Sequence, residues 1–284
     1  MSPEPGPRQL RRAIVEAAGT LTAAGIDSAR FDAEYLAAHT AGVDRGRLGS
    51  YEPDETFFDR YRELVAARAT RIPLQHLTTT APFGPLLLEV GPGVFIPRPE
   101  TEALLEWALA RELSDAAVIV DLCTGSGALA LALAHARPRA RVVAVDDSAE
   151  ALGYARRNGR GSAVEFIEAD VTTPGVLADY DGTVELLVSN PPYIPDGATL
   201  EPEVAQHDPS HALFGGPDGM QVIEPIVTLA ARLLRPGGYV AVEHDDTTAA
   251  QTVAVFEAAA VFAEVTSHRD LAGRPRFVSA VRKG

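Results

Sequence analysis

Residues 117–127 read Ala117-Val118-Ile119-Val120-Asp121-Leu122-Cys123-Thr124-Gly125-Ser126-Gly127. The first six are short, mostly apolar and rich in branched side chains, which is the pattern of a buried strand. Glycines follow at 125 and 127, and Leu129 to His135 reads as a helix. A strand that runs through a glycine turn into a helix opens a βαβ unit. Such a turn lets a ligand approach the backbone, and the helix start offers free N–H groups.

The alternation continues. Arg141-Val142-Val143-Ala144-Val145-Asp146 reads as a second strand, Val164-Glu165-Phe166-Ile167 as a third and Val184-Glu185-Leu186-Leu187-Val188 as a fourth. Ala149 to Arg157 reads as the helix between the second and third. Met220 to Leu234 reads as a long helix, closed by Arg235-Pro236-Gly237-Gly238. Tyr239 to Glu243 is then a fifth strand, followed by a helix from Thr247 to Ala260. Val261 to Thr266 and Phe277 to Val281 are closing strands, expected to be antiparallel. The expected fold class is α/β, a doubly wound and mostly parallel sheet.

Residues 8 to 70 carry only helical spacing, as in Leu10, Ile14, Ala17, Ala18 and Leu21, with a break at Glu52-Pro53-Asp54. Prolines and glycines crowd residues 71 to 99, where Leu86 to Val90 and Val94 to Ile96 suggest a hairpin turned at Gly91-Pro92-Gly93. Beyond it a helix is expected from Glu100 to about Leu113, with acidic residues in its first turn. The expected domains are a helical one at 1–72, a hairpin linker at 73–99 and an α/β domain at 100–284.

The 284 residues are 46% hydrophobic and 23% charged, with a formal net charge of −14. That charge opposes a grip on nucleic-acid phosphates and favours a basic protein partner at low salt. No apolar run approaches the roughly 20 residues of a membrane span. Met1 to Arg12 lacks the apolar core of a signal peptide, so a cytoplasmic protein is expected. Cys123 is the only cysteine, which excludes an internal disulfide and a Cys-rich zinc site. His207, His211 and His244 read as surface or loop residues, His39 as a core or surface residue, and no metal is expected.

Two turns carry the candidate chemistry. The first is Cys123 to Gly127, with Asp146 ending the next strand about 20 residues on, where an acid can take ribose hydroxyls. Glu168-Ala169-Asp170 ends the third strand, where an adenine edge would lie. Gly125, Gly127 and Ala130 also satisfy the dinucleotide fingerprint, so this turn alone leaves a nicotinamide enzyme open. The second is Ser189-Asn190-Pro191-Pro192-Tyr193 after the fourth strand. Its prolines stiffen the loop and lack N–H groups. Asn190 adds a carbonyl acceptor and Tyr193 a flat ring, which suits a planar group bearing an NH2, either an amide or a base amine. Asn-Pro also starts ordinary turns.

The whole chain resembles the release factor glutamine N5-methyltransferase family. The resemblance rests on Pro73-Leu74-Gln75-His76-Leu77, Phe95-Ile96-Pro97-Arg98-Pro99-Glu100-Thr101-Glu102, Asp121 to Gly127, Asn190 to Tyr193, Ala212 to Met220 and Arg235 to Gly238. It implies an S-adenosylmethionine-dependent enzyme that methylates the glutamine amide of the Gly-Gly-Gln motif in peptide-chain release factors. It implies that Asn190 and Pro191 accept the amide N–H groups and that Tyr193 packs on the amide plane. Pro192, Phe95 and Arg98 would border the substrate, Arg98 either closing over the site or pairing with Glu100 or Glu102. Cys123, Thr124, Gly125, Ser126, Gly127, Asp146, Asp170, Val171 and Asn190 would hold the methyl donor. A monomer that binds no nucleic acid directly is expected. Rival readings are glutamine methylation of a ribosomal protein, N6-adenine methylation and a non-catalytic donor-binding protein. The chain departs from the family at Glu243-His244-Asp245-Asp246, where a Glu is usually followed closely by Gly, and at Cys123, which replaces a common Gly.

Overall fold

The structure is a computed structural model that describes residues 6–284. Of the stretch Met1 to Arg12, residues 1–5 lie outside the described residues.

The elements run α1 (Pro7–Ala23), α2 (Ala29–Ala41), α3 (Glu55–Ala69), α4 (Leu74–Thr78), β1 (Thr80–Phe83), β2 (Leu86–Glu89) and α5 (Glu102–Leu109). Then come β3 (Val118–Leu122), α6 (Ala128–Ala136), β4 (Arg141–Asp146), α7 (Ala149–Asn158), β5 (Glu165–Glu168) and β6 (Val184–Ser189). The chain ends with α8 (Pro202–His207), α9 (Ile223–Leu233), β7 (Leu234–Glu243), α10 (Ala249–Ala258), β8 (Phe262–Arg269) and β9 (Pro275–Arg282). They form two compact units.

The first unit holds the chain up to Thr79 together with Glu201–His207. Leu10, Ile14, Leu21, Leu36, Phe57 and Tyr61 are buried at its centre. Asp54 starts α3 by accepting from the Phe57 N–H at 2.7 Å, an N-cap. Arg68 is buried between two carboxylates, with Nε 2.7 Å from Asp32 Oδ2 and Nη1 2.9 Å from Glu203 Oε1. Arg71 Nη2 reaches Glu203 at 2.5 Å and Glu201 at 3.2 Å. Residues 201–207 therefore belong to the helical unit, tied to it by ion pairs with Arg68 and Arg71, although they follow β6 in the chain.

The second unit is a seven-stranded sheet in the order β5-β4-β3-β6-β7-β9-β8. The first five strands are parallel, and β9 runs antiparallel to both β7 and β8. Apolar residues alternate between its faces, because strand side chains have a period of two. Val120, Leu122, Val143, Leu187 and Val240 pack with α9 on one side, while Ile119, Val142, Leu186 and Ala241 pack with α5 and α6 on the other. The strand order reverses between β3 and β6, the switch point where open α/β sheets bind ligands.

The hairpin differs from the sequence expectation. It pairs Thr80–Phe83 with Leu86–Glu89 around Gly84-Pro85, and Gly84 takes the positive φ of +51° that a tight turn asks for. Val94 and Ile96 belong to no strand; they are buried beside Ala81, Val90 and Ala151. Pro97 and Pro99 lack the N–H that a ladder needs. The α5 helix also stops at Leu109, short of Leu113.

Candidate active site

The glycine turn is held from below. Asp121 Oδ2 accepts from the Thr124 hydroxyl at 2.6 Å and from the Ala130 N–H at 3.0 Å. Gly125 N donates to Asp146 Oδ2 at 2.8 Å, and Ser148 N donates to Asp146 Oδ1 at 3.0 Å. Gly127 caps α6 at φ +87°, and Gly125 has φ +55° with open space where a Cβ would stand. Cys123 also takes a positive φ of +57°, which a non-glycine residue rarely adopts. Its thiol is pushed well up by burial and by Asp146 and Asp121, so it is no nucleophile.

Asp121 is a candidate site residue that the sequence reading left within its motif. Burial raises its carboxyl to about 7, against the pull of Thr124 and Ala130. Its Oδ1 is buried with no hydrogen-bond partner. An unpaired acceptor beneath an open glycine turn fits a ligand that brings its own donor. Burial raises Asp146 as well, opposed by the Gly125 and Ser148 N–H groups and by His211. Asp170 is exposed, and its Oδ1 accepts from Thr172 N at 2.8 Å and from Thr172 Oγ1 at 2.7 Å. Val171 beside it is buried. An acidic β4 end, an open backbone cradle and an apolar wall after β5 fit the ribose, amino-acid and base parts of S-adenosylmethionine.

The Asn-Pro-Pro-Tyr corner lies beside this turn. Ser189 and Leu122 are register partners of parallel strands. Asn190 Nδ2 donates to Thr101 Oγ1 at 3.2 Å, and the Tyr193 hydroxyl donates to Glu243 Oε1 at 2.9 Å. Pro191 is buried and Pro192 half-buried. Among the described residues, no backbone hydrogen bond ends on the carbonyl of Asn190 or Pro191.

Gly215 and Gly219 back the corner. Ile194 N donates to Leu213 O, and Gly215 N returns to Ile194 O, each at 2.9 Å. A Cβ at Gly215 would stand 2.6 Å from the Pro192 carbonyl oxygen, and one at Gly219 would stand 2.3 Å from that of Tyr193. Only glycine admits so close a backbone.

Two expectations need correction. Arg98 pairs with neither Glu100 nor Glu102: it bonds to Asp208 and lies 5.0 Å over the Phe95 ring centroid. Asp208 offers a buried carboxylate, and a buried charge needs a partner. His244 lies in the loop after β7, as one half of the expectation had it, but it is fully buried, with Nδ1 2.7 Å from the Asp245 carbonyl, so it is no surface residue. Tyr193 is anchored by its hydroxyl as well as by its ring, which the sequence could not signal. Among the described residues, no group of three or more His, Cys, Asp or Glu could hold a metal ion.

Several known proteins are similar to this chain. Residues 12–78 match the PrmC N-terminal domain, and residues 98–207 match the methyltransferase small domain. A release factor glutamine methyltransferase of Mycolicibacterium smegmatis is 65% identical over 275 residues, covering 96% of this chain and 98% of the relative. One of Mycobacterium tuberculosis is 62% identical, covering 97% and 92%. One of Streptomyces coelicolor is 49% identical, covering 94% and 96%. The solved structure of a methyltransferase from Pyrococcus furiosus shares the fold at a TM-score of 0.51 and 20% identity, over 69% of this chain and 88% of that one. The chain belongs to the release factor glutamine methyltransferase family, whose members take their methyl group from S-adenosylmethionine.

Proposed function

We propose that this chain methylates the side-chain amide nitrogen, N5, of the glutamine in the Gly-Gly-Gln motif of peptide-chain release factors. The single observation behind the site assignment is the Ser189–Leu122 register, which sets the amide-accepting corner next to the donor turn. S-adenosylmethionine supplies an electrophilic methyl group on a positively charged sulfur.

A carboxamide nitrogen is a poor nucleophile because its lone pair is delocalised. Asn190 Oδ1 and the Pro191 carbonyl accept its two N–H bonds and favour the positive charge that grows on nitrogen. Both acceptors are stiff: prolines fix the backbone, and Thr101 holds Asn190. Pro192 and Tyr193 flank the amide plane, with Phe95 and Arg98 at the rim. Holding the acceptor in one pose supplies much of the rate. No strong base is needed, since the alkylated amide gives its proton to water.

Cys123, Thr124, Gly125, Ser126 and Gly127 hold the amino-acid end of the donor. Asp146 takes the ribose, Asp170 and Val171 border the base, and Asn190 touches both molecules. Residues 1–72 act as the substrate-recognition domain, 73–99 as the linker and 100–284, apart from the Glu201–His207 segment of the helical unit, as the methyltransferase domain. No helix among the described residues is long and apolar enough to cross a membrane. A cytoplasmic monomer that acts on protein and binds no nucleic acid directly completes the reading.

The test is radiolabelled methyl transfer to purified release factors, ribosomal proteins and DNA in parallel, with mass mapping of the acceptor. Label on the Gly-Gly-Gln glutamine supports the reading. Label on a ribosomal glutamine or on adenine alone overturns it.

A further inference from the structure

Behind the corner, side chains from separate parts of the chain meet. Thr101 sits at the start of α5, Glu243 ends β7, and both are buried. Thr101 Oγ1 accepts from Asn190 Nδ2 at 3.2 Å, and Glu243 Oε1 accepts from the Tyr193 hydroxyl at 2.9 Å. The Thr101 hydroxyl also stands close enough to Glu243 to favour its charged form. Oε2 of that carboxyl is buried with no hydrogen-bond partner among the described residues, so it is free to accept one. Arg276 lies near Tyr193 and Glu243 and is itself bonded to Asp270 at 3.0 Å.

The two ends of an asparagine amide are nearly the same size, so the surrounding hydrogen bonds set which way it faces. Thr101 alone cannot set it. A hydroxyl can accept from the nitrogen end or donate to the oxygen end. What decides is the group that takes the hydroxyl hydrogen. An ionised carboxylate only accepts. With Glu243 taking that hydrogen, Thr101 can only accept from Asn190. The nitrogen end is then committed, and Oδ1 is left for the substrate.

We propose that Glu243 acts through Thr101 as a positioning residue that fixes which end of the Asn190 amide faces the substrate. This inference rests on the glutamine-methylation reading above. It also gives a role to the glutamate that leads the Glu243-His244-Asp245-Asp246 segment.

The test is steady-state methylation of a release factor at pH 8.5, with donor affinity by calorimetry and melting temperature for each variant. Glu243→Gln can offer an NH2 to Thr101, which then sends its hydrogen to the wrong end of Asn190. We expect kcat to fall roughly 100-fold, the scale of one lost transition-state contact, with KM and donor affinity nearly unchanged. Thr101→Val keeps the shape and loses the relay, for a fall of about 10-fold, and Thr101→Ser recovers the rate. Turnover of Glu243→Gln at the unaltered protein's rate would overturn the proposal. So would Thr101→Ser failing to recover, or a fall in kcat matched by equal losses of donor affinity and melting temperature. Failure of the unaltered protein to methylate glutamine is a separate outcome: it removes the function on which the proposal stands.

Discussion

Ser189 and Leu122 are register partners on adjacent parallel strands, and the buried Ser189 hydroxyl donates to the Leu122 carbonyl at 2.8 Å. The turns that follow these strands therefore leave the sheet at the same level, at its switch point. One is the glycine turn and the other is the Asn-Pro-Pro-Tyr corner.

Asn190→Ala removes the side-chain acceptor and leaves the Pro191 carbonyl. Turnover is expected to fall about 100-fold or more, with the affinity for the protein substrate retained. Steady-state kinetics beside direct binding of the release factor checks both parts. Normal turnover would end the role given to Asn190.

Gly219→Ala would place a methyl group 2.3 Å from the Tyr193 carbonyl oxygen, on a backbone at φ +77°. The corner must move, and a shift of about 1 Å at a reacting centre can cost about 100-fold in rate. Gly197→Ala is the control. Its φ is +82°, yet nothing lies within 4 Å of the added carbon. It should cost about 1 kcal/mol of stability and little turnover. Equal losses of turnover in the two variants would refute the close-approach argument.

The buried carboxyls of Glu243 and Asp121 are each raised to about 7 in the fold. Glu243 meets Thr101, Tyr193, Arg276 and Glu100; Asp121 meets Thr124, Ala130 and Asp146. The folded state binds these protons more tightly than the unfolded chain does. Their stabilising effect is complete below the unfolded carboxyl range and is lost as pH rises through about 7. His244 and His268 are lowered by burial from 6.5, and they oppose the trend once pH falls below that value. The melting temperature of the protein without donor should thus rise as pH falls from about 8 to about 6.5. Glu243→Gln should flatten that rise. A melting temperature that falls over this interval would contradict the account.

Arg68→Met leaves buried Asp32 without a cation, with only the Ser28 hydroxyl to bond it, and leaves Glu203 to Arg71 alone. Breaking a buried pair from one side costs about 3–5 kcal/mol. Chemical unfolding of the variant measures this, and a loss under about 1 kcal/mol would place the pair in the class of weak surface bridges.

Much of the sheet was legible because parallel strands are buried on both faces and read as apolar runs. Val184 to Val188 and Arg141 to Asp146 stand where their composition put them. The hairpin was misplaced because its two candidate turns, Gly84-Pro85 and Gly91-Pro92-Gly93, look alike locally, and only pairing distinguishes them. Pairs distant in sequence were not legible. Arg98 meets Asp208, Asn190 meets Thr101 and Tyr193 meets Glu243, and no local period records such partners. The glycines of Gly215 to Gly219 were visible as a motif, while their purpose depended on carbonyls from another loop.

The membership of Glu201–His207 in the helical unit bears on how the protein can be dissected. A fragment beginning at Thr80 would keep the acidic residues Glu201 and Glu203 and lose Arg68 and Arg71, which neutralise them. The amputated half would carry orphaned negative charge a few residues past its reactive corner. Expression of an isolated methyltransferase half, or grafting of a foreign front end, calls for Glu201 and Glu203 to be replaced by neutral residues in the same step.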